Sequence, residues 1–144
     1  EGKKLFTEWL GGSTVDEVTA TKYIFTHDDE IAMGILEALK SSDIDEAKKE
    51  AFLNAGVHLG ASSGLNEIYS VLKGIHQKDY TAEVAKLADL FSVTYDPAMI
   101  QIAIDDMITH LDGGEVQQDH VIPVNVVDAT NVDQYKGFGD AVSQ

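Results

Sequence analysis

Three short stretches of this chain gather residues that could do chemistry. Asp28-Asp29-Glu30, behind His27, sets three carboxylates in succession. Gly60-Ala61-Ser62-Ser63-Gly64 is small and polar, and Tyr95-Asp96-Pro97 joins an aromatic ring to an acid and a proline. Ionised carboxylates accept several hydrogen bonds, so the first stretch suits a ligand rich in hydroxyls. Two other readings fit the same residues: Mg²⁺, which takes paired carboxylates and water, and helix capping with a favourable dipole for acids in a first turn. The glycine-flanked serines let a ligand approach the backbone at a helix start, or form an ordinary strand-to-helix turn. They make neither a Walker motif, because no lysine follows, nor a G-x-G-x-x-G fingerprint. Nor do Ser62 and Ser63 occupy a G-x-S-x-G elbow, so hydrolase chemistry is not expected. Tyr95 either stacks on the apolar face of a ligand or packs on the core.

The histidines at 27, 58, 76, 110 and 120 show no i,i+4 or alternate-residue pairing, so no metal site is expected from them. His58, inside an apolar run, reads as a core histidine, and Trp9 as a packing residue. There is no cysteine, which removes disulfides, thiol catalysis, iron–sulfur clusters and cysteine-ligated zinc. No cofactor is expected.

Charge narrows the partners. Ten basic residues against 25 acidic ones leave a formal charge of −15 over 144 residues. A chain so acidic has no basic stripe for a nucleic-acid backbone, and an anionic membrane surface repels it. Its 44% hydrophobic and 24% charged residues are ordinary globular composition. No apolar run approaches the roughly 20 residues that span a bilayer. The opening Glu1-Gly2-Lys3-Lys4 reads like the inside of a helix, so an upstream part is expected.

The elements that must carry these stretches follow from periodicity. Leu5 with Trp9 and Phe6 with Leu10 give a helix over 3–10 that stops at Gly11-Gly12. Residues 13–21 read as a polar connector. Lys22–Thr26 is a short aromatic and β-branched strand. The stripe of Ile31, Ile35 and Leu39 is helical and ends near Ser41-Ser42. Residues 48–52 are a connector or helix edge, 55–60 a second strand, and 65–75 a helix behind the Ala61–Gly64 turn. A helical turn is expected over 81–88 and a third strand over 90–95. Asp96 and Pro97 then read as cap and first-turn proline of a helix carrying Ile100, Ala103, Ile104, Met107, Ile108 and Leu111. A β-branched run at 120–127 closes the pattern. Strand, turn and helix three times over predict an α/β fold, three-layer α/β/α with a mainly parallel sheet. Ligands of such sheets lie beyond the carboxyl ends of the strands, where all three stretches fall.

The segment Tyr23-Ile-Phe-Thr-His-Asp-Asp-Glu-Ile-Ala-Met-Gly-Ile-Leu-Glu-Ala-Leu39 resembles the strand–turn–helix of sugar-binding proteins of ABC transporters, the ribose/galactose-binding type. That family typically reads Asn-Asp-Glu-Met-Ala-Leu-Gly at this turn. Val121–Tyr135 is similar to the family's closing strands, and Thr94–Met99 to a hinge strand followed by a proline-capped helix. The likeness covers nearly the whole chain and maps it onto the C-terminal portion of a two-lobe protein about twice as long. It implies that residues 1 to about 90 belong to the second lobe and that about 91–118 is a helix packing on the first. It makes about 119–135 the returning strands and 136–144 a tail.

The same resemblance implies capture without catalysis: two lobes closing on a monosaccharide-like molecule and presenting it to an ABC permease. It implies a periplasmic or extracellular location, lipid-anchored forms included. Carried over residue by residue, Asp28 stands where the family has a ligand-binding asparagine, and Asp29 matches the acid that follows it. Ser62 falls where many members have a sugar-binding aspartate, and Tyr95 where a hinge glutamine often touches ligand. The departures at Asp28, Ser62 and Tyr95 leave the identity of the sugar open. A lobe without its missing strands exposes an edge and apolar surface, so self-association is expected.

The rival expectation comes from Ile24–Ile31, which also looks like the acidic Mg²⁺ pocket of response-regulator receiver domains. Receivers need an aspartate ending a middle strand and a lysine ending a late one; here the second strand leads to Ala61-Ser62, and the last offers no lysine. A stand-alone sugar-sensing or interaction domain is the third alternative.

Overall fold

In the computed structural model, which describes residues 1–139, four strands form one mixed sheet: β1 (Tyr23–Phe25), β2 (His58–Ser63), β3 (Asp89–Tyr95) and β4 (Val124–Asp128). They lie in the order β1-β2-β3-β4; the first three are parallel and β4 is antiparallel to β3. The helices are α1 (Gly2–Gly12), α2 (Val15–Ala20), α3 (Asp29–Lys40), α4 (Glu46–Asn54), α5 (Asn66–Leu72), α6 (Thr81–Val84) and α7 (Met99–Leu111). The α/β class and the mainly parallel sheet are those the strand–turn–helix pattern predicts. Among the described residues no helix is long and apolar enough to cross a membrane.

Strand alternation decides which side chains enter the core. Leu59, Ala61, Leu90, Ser92 and Val127 point inward and are buried. Above them lies the stripe of α3, with Ala32, Ile35, Leu36 and Leu39, and the inner face of α5. Helix α1 crosses α3 at very short range, because Gly2 and Gly34 put backbone against backbone: a Cβ on Gly34 would fall within 2.8 Å of Gly2 Cα. That approach seats Phe6 and Leu10 in the core, where the Phe6 ring meets Phe52 of α4 edge-on at 5.0 Å. Trp9 completes the cluster at 5.5 Å from Phe6, so it is a packing residue. The outward face of the sheet carries Tyr23, Phe25, Val124 and Val126, all exposed.

Several local expectations are corrected. Residues 13–21 contain α2, started by a capping box in which the Thr14 hydroxyl accepts from the Glu17 N–H and the Glu17 carboxylate accepts from the Thr14 N–H. Residues 48–52 lie within α4, capped by Asp45. Strand β2 runs to Ser63 rather than ending at Gly60, so Ser62 and Ser63 belong to the strand end. Asp96 does not cap α7; its carboxylate accepts from the Ala98 N–H at 2.8 Å in a turn ahead of the helix, whose cap position is Ala98. β4 begins at Val124, four residues later than expected from His120. His58 is no core residue: its half-exposed ring stacks on Tyr23 at 4.8 Å and its Nδ1 lies 2.9 Å from the Asp89 carboxylate.

Candidate functional site at the carboxyl edge of the sheet

The parallel register brings the ends of β1, β2 and β3 to one edge. Asp28 follows β1 and caps α3, with one carboxylate oxygen accepting from the Glu30 N–H at 2.8 Å. Its second oxygen lies 3.4 Å from the Ser63 hydroxyl, a long contact, and is Asp28's remaining acceptor. Ser62 sits beside it, and its hydroxyl donates to the His27 carbonyl at 2.8 Å, which ties the end of β2 to the turn after β1. Ser63 is paired with Thr94, the residue before Tyr95, so Asp28, Ser62, Ser63 and Tyr95 share the edge. Three of the expected site residues, Asp28, Ser62 and Tyr95, are therefore together and reachable from solvent.

Asp29 is different. It is fully buried, and one carboxylate oxygen accepts from the N–H groups of Gly64 and Leu65 at 2.8 Å each. The other accepts from the Ser92 hydroxyl at 2.7 Å. All of its hydrogen bonding goes to the chain itself, which makes it the post that ties the start of α3 to the β2–α5 turn and to the middle of β3 rather than a surface a ligand can touch. Because Asp29 turns inward, the three consecutive acids do not converge. Among the described residues no three acidic or histidine side chains are placed to hold a metal.

Sequence reading missed Ser63. Its alternation puts the side chain on the inner face, 6% exposed, with the hydroxyl directed at Asp28. The one-residue distinction from Ser62 depends on where β2 ends, which the repeated serine conceals. The turn after it demands glycine: Gly64 has φ +97°, and a Cβ there would stand 2.9 Å from Thr94 Cβ and 3.1 Å from the Tyr69 hydroxyl. That hydroxyl is buried, and burial, with the negative charge of Asp29 adding to it against the neighbouring Thr94 hydroxyl, raises the phenol above its ordinary range.

The last described residues close the edge. Residues 136–139, expected as a loose tail, form a strap over the β2–α5 turn, while 140–144 lie outside the described residues. The Phe138 N–H donates to the Gly64 carbonyl at 3.1 Å, and the Asn66 N–H donates to the Phe138 carbonyl at 2.9 Å.

No protein-family model matches the chain, and no curated protein does. Solved structures do. One is a galactofuranose-binding protein, with a TM-score of 0.62 and 14% identity, matched over 92% of this chain and 38% of its own. Another is the periplasmic binding component of the arabinose ABC transporter of Shewanella sp. ANA-3, bound to α- and β-L-arabinofuranose, with a TM-score of 0.59 and 15% identity, matched over 92% and 37%. The chain thus spans less than two-fifths of the length of either. At such identities the likeness is one of architecture, and the chain has the α/β fold of a lobe of the periplasmic sugar-binding proteins.

Proposed function

We propose that this chain captures a hydroxyl-rich, sugar-like ligand at the carboxyl edge of its sheet, without catalysis. In this reading it forms one wall of a two-lobe cleft that delivers the ligand to an ABC permease outside the cytoplasm. The observation that carries it is Asp28, held rigid by its cap bond to Glu30 and left with a carboxylate oxygen facing only the distant Ser63 hydroxyl. A sugar hydroxyl can donate to that oxygen while accepting from Ser63, and a charge-assisted bond of this kind is stronger than a neutral one. Ser62 Oγ keeps acceptor capacity beside it, and the Tyr95 ring offers an apolar flank. Asp29 acts through position, fixing the turn that carries Ser63 and Gly64. The structural neighbours support the ligand class through what their names say they bind, galactofuranose and arabinofuranose. The exposed apolar face of α7 supports the layout in which residues 1 to about 90 form one lobe and about 91–118 pack against another, with about 119–135 returning.

The test is an amide-resonance titration of the chain with L-arabinose and with D-galactose, beside a parallel titration with Mg²⁺. Sugar-dependent shifts centred on Asp28, Ser63 and Tyr95, abolished by Asp28→Ala, are expected. Sugar shifts absent from these residues, or persisting in that variant, would overturn the reading. Shifts with Mg²⁺ alone would favour the receiver alternative.

A further inference from the structure

We propose that Phe138, carried over the β2–α5 turn by the C-terminal strap, is a further ligand-contacting residue of this site, its ring and that of Tyr95 forming an apolar corner for the C–H face of a sugar; the inference rests on the capture reading above.

The strap is built, not draped. Val132 is buried, Tyr135 packs against the core, and Lys73 of the α5 end pairs with Asp133 at 3.2 Å. These anchors aim the following residues at the edge. Gly137 then passes so close to α5 that a Cβ would stand 3.0 Å from both the Asn66 N and Cα, so only glycine lets the strap lie this low. Phe138 is pinned by both of its backbone groups, to Gly64 and to Asn66, in a parallel bridge with Leu65. The Asn66 side-chain amide holds the next residue, donating to the Gly139 carbonyl at 3.1 Å.

The same turn is gripped from beneath. Gly64 and Leu65 give their N–H groups to Asp29, whereas the Gly64 carbonyl takes the Phe138 N–H. Asp28, through its neighbour Asp29, and Phe138 are thus both tied to one glycine turn. Their spacing does not depend on a flexible loop.

The ring is left to do something other than fill the core. Phe138 is partly exposed, and its aromatic neighbour is Tyr95, at 6.2 Å between centroids and tilted by 52°. Two rings meeting at that angle make a corner. Ligand pockets combine such apolar walls with a few convergent polar groups. Here the polar groups are Asp28 and Ser63, which share the strand edge with Tyr95. A sugar presents both chemistries at once, hydroxyls along its rim and C–H groups on its face.

The experiment uses the whole chain with L-arabinose as probe, selective protonation of phenylalanine, and the variants Phe138→Ala, Phe138→Leu and Phe138→Tyr. Saturating the phenylalanine ring protons is expected to transfer magnetisation to the sugar C–H protons. Phe138→Leu removes that transfer and weakens binding by about five- to tenfold, and Phe138→Tyr restores it to within about twofold. The Leu variant keeps the backbone pairing, which protection of the Asn66 and residue-138 amides from exchange will show, so a loss of affinity there is not a loss of the strap. Wild-type affinity in the Leu variant, with binding still dependent on Asp28, would overturn the role of Phe138 and leave capture standing. An absence of sugar binding in the parent chain would overturn both.

Discussion

The Ser92 hydroxyl donates to the Asp29 carboxylate at 2.7 Å across 63 positions of sequence, with both residues fully buried. The bond joins the middle of β3 to the first turn of α3. Through the other oxygen of Asp29 it continues to the two backbone N–H groups that open the β2–α5 turn. One carboxylate therefore ties the first turn of α3, the β2–α5 turn and strand β3 together beneath the candidate site. A buried charge is tolerated only when it is this well supplied with donors.

Removing that carboxylate strands its donors. Asp29→Ala leaves two N–H groups and a hydroxyl buried without partners and is expected to lower stability by about 3–5 kcal/mol. Asp29→Asn should be much milder. Its carbonyl oxygen can still take the Gly64 and Leu65 N–H groups, and its NH₂ can donate to a Ser92 hydroxyl that rotates to accept. Ser92→Ala removes one bond, for about 1–2 kcal/mol. Urea midpoints of the three variants check the order; an Asn variant as damaged as the Ala variant would sink the assignment of donors.

Gly64 is the second constraint. Its φ of +97° is unfavourable for any residue with a Cβ, and that Cβ would overlap the Thr94 side chain. Gly64→Ala is expected to cost about 2–4 kcal/mol from backbone strain and overpacking together. Gly60→Ala offers the comparison, because its clash is with the ring edges of Phe91 and Phe25, both reachable from solvent and free to swing. Its penalty should be clearly smaller in the same denaturation experiment.

These two residues show where sequence reading reaches its limit. The helical stripe of α3 and the β-branched runs were legible because burial imposes a period, and period is visible in one dimension. Helix α2 escapes that reading: Thr14-x-x-Glu17 is its one signal, and with Val18 as its one buried residue it carries no stripe and reads as connector. Helix α4 buries only Phe52 and Leu53 and is equally quiet. The inward turn of Asp29 could not be read from its neighbours. An acid in a first helical turn looks the same whether it meets water or two N–H groups from 35 and 36 residues further along. Likewise Ser62 and Ser63 are indistinguishable until the end of β2 is known. The family-like turn motif located the edge; the fold decides which of its oxygens face outward.

Acid should loosen the β4 exit. The Thr130 hydroxyl and then its N–H donate to Asp128, at 2.6 and 2.7 Å, and hold that carboxyl below its ordinary value of 3.8. A carboxyl depressed on folding contributes stability that is complete above 3.8 and is lost as pH falls through the lower folded value. Thr130→Val removes the leading cause, so carbon-13 titration should find the Asp128 value moved up towards 3.8. The variant's stability should fall less steeply below that pH than the parent's. An unmoved titration would mean that the Thr130 hydroxyl does not donate in solution.

Helix α7 carries the apolar stripe the sequence predicts, yet Ile100, Ile104, Met107, Ile108 and Leu111 are all exposed, and none of the helix is buried. A stripe in water contributes nothing to the chain's own core. Ile104→Glu should therefore change stability by no more than about 0.5 kcal/mol, whereas Leu36→Ala, in the core, should cost about 2–5 kcal/mol. The same surface is expected to bind hydrophobic dyes and to favour contact between copies. The triple variant Ile104→Glu, Met107→Glu and Ile108→Glu is expected to lower dye fluorescence and to abolish any concentration-dependent mass in light scattering. Were Ile104→Glu to unfold the chain, α7 would have to be packed against this lobe in solution, and its proposed place against another lobe would fall.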